Sequence, residues 1–95
     1  MITEERIAKL EEKGFKRWQK GNLDRLYINA SQLGLECGYY NTGNIKWAEF
    51  NGESISNSKA YKYRAAKTYI DVKTERVQSD YDILKEAAEK LAETI

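Results

Sequence analysis

Cations interleaved with flat rings are the chemistry this chain offers most plainly. Residues 13–28 carry Lys13, Lys16, Arg17, Lys20 and Arg25 against Asp24 alone, a local net charge of +4, with Trp18 and Tyr27 set among them. Phosphates ask for such cations and unpaired bases for such rings. A second run, Lys59 to Lys67, also nets +4 and has no acid: Lys59, Lys62, Arg64 and Lys67, with Tyr61 and Tyr63 between them. On a helix at ~100° per residue, Tyr61 and Ala65 share one side, while Lys59, Lys62, Tyr63 and Lys67 spread over the other. That outer side could contact phosphate. The ordinary alternative is a helix docked by Tyr61 and Ala65 with its lysines in water, and charge runs favour it. The first cluster has the same alternative, because lysine and arginine stems packed over rings make a common solvated sheet face. The chain as a whole carries +1, from 16 Lys plus Arg and 15 Asp plus Glu, and so lacks the basic excess of dedicated nucleic-acid binders.

Other chemistries find less material. Histidine is absent, and cysteine and methionine occur once each, which removes histidine triads, histidine-ligated metals, an internal disulfide and cysteine-rich zinc sites. The six glycines form neither a phosphate loop nor a dinucleotide fingerprint. Glu4, Glu5, Asp80 and Asp82 suit the first turns of helices, and Glu11, Glu12, Glu86, Glu89 and Glu93 suit solvated faces. Asp71 is expected on the outward side of its strand, where an ion pair with a basic helix suits it better than a role as general base. Trp47 alternates with Lys46 and Ala48; both faces of its strand carry apolar residues, so it is either core or an exposed partner anchor, and the expectation leans to core.

These side chains need elements to aim them. Thr3 can cap a helix over residues 4–13, with Ile2 and Ile7 as a hydrophobic staple and Gly14 as the stop. Phe15 to Lys20, the turn Gly21-Asn22, and Leu23 to Asn29 predict a β-hairpin. A two-residue loop pairs Lys16 with Tyr27, Arg17 with Leu26, Trp18 with Arg25, and Lys20 with Leu23. Alternation then puts Phe15, Leu26 and Ile28 inward, and Lys16, Trp18, Lys20, Arg25 and Tyr27 outward. A helical turn at 30–34, strands at 35–40 and 45–50, and a short return strand at 53–56 after the Asn51-Gly52 turn come next. A helix over 58–67, capped from Ser56-Asn57-Ser58, leads into a strand at 68–73 that buries Ile70 and Val72. Residues 74–78 make a turn or a strand extension; Ser79 caps a last helix whose stripe is Leu84, Ala87, Ala88, Leu91 and Ile95. The expected fold is a single α+β domain over residues 1–95. It holds a mostly antiparallel sheet of about four to five short strands, with N-terminal, middle and C-terminal helices packed against it.

The charged start, Met1 to Arg6, makes a cleaved signal peptide unexpected, and no run nears the ~20 apolar residues of a membrane span. Cys37, without a partner, suits a reducing interior, so a cytoplasmic home is expected and the sequon Asn29-Ala30-Ser31 reads as chance. The segments Asp24–Asn29, Tyr39–Ile45, Phe50–Glu53 and Ala65–Thr74 resemble those of small uncharacterised proteins of gut Firmicutes and their mobile elements, over most of the chain. The resemblance implies a bacterial, intracellular protein, with an element-borne origin among its implications. It brings no known activity, so no functional residue is carried over.

The expected function is therefore binding without catalysis and without a cofactor, metal, membrane or small-molecule ligand. A protein partner is the first expectation, because exposed Trp, Tyr and Arg are common anchors. A second copy of the chain, paired through an open sheet edge, is another. A nucleic-acid binder using Lys16, Trp18, Lys20, Arg25 and Tyr27 is the runner-up, and an atypical enzyme working with lysines or carboxylates comes third.

Overall fold

The computed structural model describes residues 1–94. Helix α1 (Glu4–Glu12) starts where the Thr3 hydroxyl accepts the Arg6 N–H at 3.2 Å. It ends in a Schellman motif: Gly14, at φ 111°, donates its N–H to the Glu11 carbonyl, and Phe15 donates to that of Leu10. The motif drops Phe15 into the core beside Ile7 and Leu10 and launches the first hairpin.

Strands β1 (Lys16–Lys20) and β2 (Leu23–Ile28) pair in the anticipated register, Lys16 opposite Tyr27 and Trp18 opposite Arg25. Gly21, at φ 58°, supplies the positive φ that the first turn position of a tight hairpin needs. A 3-10 turn (Ala30–Leu33) precedes β3 (Leu35–Tyr39), β4 (Ile45–Phe50) and β5 (Glu53–Ile55). Asn51 and Gly52 both take positive φ, as a I′ turn requires. Helix α2 (Asn57–Ala65) is capped by the Ser56 hydroxyl, which accepts the Lys59 N–H at 3.2 Å. Then come β6 (Thr68–Asp71), β7 (Val77–Ser79) and α3 (Asp82–Glu93).

The fold is α+β, with helices at the N-terminus, in the middle and at the C-terminus, and every strand pairing is antiparallel. The strands divide between two sheets, a four-stranded one in the order β1-β2-β6-β7 and a three-stranded one in the order β3-β4-β5. One core joins both: Leu26, Ile28 and Ile70 of the larger sheet, Leu35, Ala48 and Phe50 of the smaller, and Ile7, Ala60, Leu84 and Ala88 of the helices. α2 packs on β3 and β4, and α3 on β6 and β7.

Arg17 ties α1 to the hairpin. Its guanidinium donates to both carboxylate oxygens of Asp24 (2.9 and 2.7 Å) and to both of Glu4 (2.8 and 3.2 Å). The N-terminal segment is held from the other end as well, by the Ile2 N–H on the Val72 carbonyl at 2.8 Å.

Two local expectations are corrected. Ser79 does not cap α3; it lies in β7, its hydroxyl bonded to that of Thr68 at 3.1 Å, and Tyr81 occupies the cap position without a side-chain bond. α2 docks by Ala60, which is fully buried, and by Tyr63; Ala65 is exposed, and so is the Tyr61 ring, which reaches β4 through its hydroxyl, the acceptor of the Ile45 N–H. The small alanine lets the helix approach closely, so the tyrosine that follows it by three residues turns inward. The stripe residue Ile95 lies outside the described residues. No helix among the described residues is long and apolar enough to cross a membrane.

Candidate binding face of the four-stranded sheet

The open face of the larger sheet can be read from its register. One row runs Lys16, Tyr27, Tyr69, Gln78 across β1, β2, β6 and β7; the next runs Trp18, Arg25, Asp71. Alternation turns both rows away from Leu26, Ile28 and Ile70, which are buried. Trp18 is 40% exposed, Tyr27, Tyr69 and Arg25 are half-buried, and Lys16 and Lys20 stand in solvent. The Arg25 guanidinium lies 5.6 Å from the centre of the Tyr69 ring, a cation–π distance.

Trp18, Arg25, Tyr27, Tyr69 and Lys67 line one concavity of about 370 Å³. Lys67 comes from the link between α2 and β6, so one cation of the second basic run joins the hairpin cluster. Arg25, Lys67 and Tyr69 also border an adjoining concavity of about 400 Å³, which continues over Gln78 and Ser79 to Ala65 and Asp80. Ala65 and Asp80 in turn border a third, where Tyr61, Lys62 and Tyr81 stand. Lys62 therefore lies at the far end of the same trough, and Lys59, though exposed, borders none of the three.

Four candidates have roles other than those expected. Tyr63 is structural: it is half-buried, with edge-to-face contacts to Phe50 at 6.0 Å and Tyr81 at 5.2 Å. Arg17, counted with the basic run, faces the core side and is occupied by two carboxylates. Asp71 forms no ion pair with a basic helix; its Oδ1 accepts the N–H groups of Lys73 (2.9 Å) and Thr74 (2.8 Å) and closes the β6–β7 turn. The Thr74 N–H is the main reason its carboxyl sits below the usual carboxylate range. Trp47 is not core but 47% exposed. Between the pairs Gly38–Trp47 and Tyr39–Ile45 the register slips, and Lys46 is the extra residue of a bulge. The bulge brings Ile45 into the core with Ala48 and Phe50 and leaves Trp47 outside, lying across Gly38 where any Cβ would collide with the indole.

Tyr69 was missing from the sequence-derived cluster. Its strand signal was clear, but its place beside Tyr27 depends on the non-local β2–β6 pairing, which no local spacing announces.

Among the described residues, no three His, Cys, Asp or Glu side chains gather closely enough to hold a metal ion. Comparison with known proteins finds no matching family model, no matching curated protein and no matching solved structure.

Proposed function

We propose that this protein binds single-stranded nucleic acid on the open face of its four-stranded sheet. One observation carries the reading: Trp18, Tyr27 and Tyr69 stand on three adjacent strands of one face, with Arg25 and Lys67 in the same concavity and Lys16 and Lys20 exposed on the same face of β1. Partly exposed rings offer stacking area to unpaired bases at little entropic cost, and the cations flank them where a sugar–phosphate chain would pass. Rings and cations of this kind suit the holding of a strand, and binding is the role proposed for them.

Fluorescence anisotropy with a labelled mixed-sequence oligonucleotide tests this at low salt. Binding should weaken with a log–log salt slope of about −3 if Lys16, Lys20, Arg25 and Lys67 each neutralise one phosphate of a single strand. Tyr69→Ala should weaken binding by about tenfold, in the lower half of the stacking range. Absence of binding at low salt, or binding that Tyr69→Ala leaves untouched, refutes the reading.

A protein partner is the second reading, favoured by a different surface. Trp47, Tyr39 and Tyr40 are all about half exposed beside the β3–β4 bulge, and such rings anchor protein interfaces. Capture of one defined protein from cell extract that is lost on Trp47→Ala and kept on Trp18→Ala would support it; equal loss with both variants would not.

A further inference from the structure

The trough beyond Tyr69 carries a chemical asymmetry. Its cations are Arg25 and Lys67 at the sheet end and Lys62 at the helix end, and between them Asp80 borders both the second and the third concavity. Asp80 is exposed, and among the described residues no side-chain hydrogen bond or ion pair engages it. A carboxylate on a phosphate track repels the backbone it should hold. The arrangement becomes consistent when phosphates go to the lysines on either side and a base turns its edge to Asp80.

Resting on the proposed binding of single strands, we infer that the strand leaves the sheet past Tyr69 and enters the seam between α2 and the link from β7 to α3, where Asp80 selects a base that bears an exocyclic amino group. An ionised carboxylate only accepts hydrogen bonds. Cytosine offers its N4 amino donor in that position, and thymine or uracil offers a carbonyl oxygen, which Asp80 repels. Tyr69 on one side and Tyr61 on the other supply rings at the two ends of the seam.

The test compares oligo(dC) with oligo(dT) of equal length on the wild-type protein, on Asp80→Ala and on Asp80→Asn, with circular dichroism confirming that each variant is folded. The wild type should prefer oligo(dC) by about fivefold, the low end for a base-edge contact. Asp80→Ala should weaken oligo(dC) and strengthen oligo(dT), so that the two converge. Asp80→Asn, whose amide can both donate and accept, should bind both with little distinction. If Asp80 merely repels the backbone, Asp80→Ala strengthens both strands by the same factor. That result, or equal wild-type affinity for the two, overturns the inference and leaves the sheet-face reading standing. If neither strand binds, the sheet-face reading falls, and the inference with it.

Discussion

Leu26 and Tyr27 are neighbours in sequence on opposite faces of β2, and they offer a direct separation of fold from site. Leu26 is 0% exposed and belongs to the core shared by both sheets. Truncation to alanine removes buried methyl groups and leaves a cavity that strands fixed on both sides cannot fill. The expected cost is about 3 kcal/mol, which in a domain of this size lowers the melting temperature by about 15 °C. Tyr27 is half-buried among Lys16, Trp18 and Tyr69, with its ring on the open face. Tyr27→Ala loses cross-strand contacts worth about 1 kcal/mol, a shift of about 5 °C. Its effect on oligonucleotide binding should be larger, about tenfold, because a stacking surface is gone. Thermal melts by circular dichroism and anisotropy titrations at a temperature where all three proteins are folded provide the comparison. The faces are assigned wrongly if Tyr27→Ala destabilises as much as Leu26→Ala. The site is assigned wrongly if Tyr27→Ala binds as the wild type does, or if folded Leu26→Ala binds no better than Tyr27→Ala.

Gly38→Ala should push the Trp47 indole off β3 at a cost of about 1 kcal/mol, small because the ring can swing into solvent. In a Trp18→Phe background the Trp47 emission should shift to the red, and an unchanged spectrum would contradict the packing. Tyr61→Phe removes the hydroxyl that accepts the Ile45 N–H at 2.7 Å, and should cost about 1 kcal/mol in denaturant titrations even though the ring is exposed. Arg17 holds the Asp24 carboxyl below the usual carboxylate range. Because the folded value is the lower one, this contribution is complete above the unfolded carboxylate value of about 3.9 and is lost as pH falls through the folded value. Asp24→Asn should therefore lower stability at neutral pH and flatten its decline in acid; parallel acid limbs for the two proteins would refute the linkage.

What could be read from the sequence was what neighbouring residues decide among themselves. The α1 cap at Thr3, the glycine stop, the register fixed by Gly21-Asn22 and the sorting of Phe15, Leu26 and Ile28 inward all depend on spacings of a few residues. Local alternation failed for Trp47 because one extra residue, Lys46, reverses the phase of β4, and nothing in the composition of Ile45–Phe50 marks where such a bulge falls. Helical periodicity failed for α2 because its docking residue is a small alanine amid tyrosines, so ring size pointed to the wrong side. The division into two sheets, and the arrival of Tyr69 and Lys67 beside Tyr27, follow from the pairing of β2 with β6 across some forty residues, which is settled by the whole core. The basic run of the hairpin was legible as charge but not as geometry, since Arg17 alternates to the other face and is neutralised there.

The double capture of Arg17 by Glu4 and Asp24 reaches beyond the docking of α1. It withdraws a cation from the underside of the hairpin while Lys16, Lys20, Arg25 and Lys67 remain available above. A molecule whose charges nearly cancel in total thus keeps cations exposed on that face. On the proposed binding of a polyanion, those cations would attract little from a distance but at close range would turn the ligand toward one side of the protein, so that orientation would be partly decided before contact.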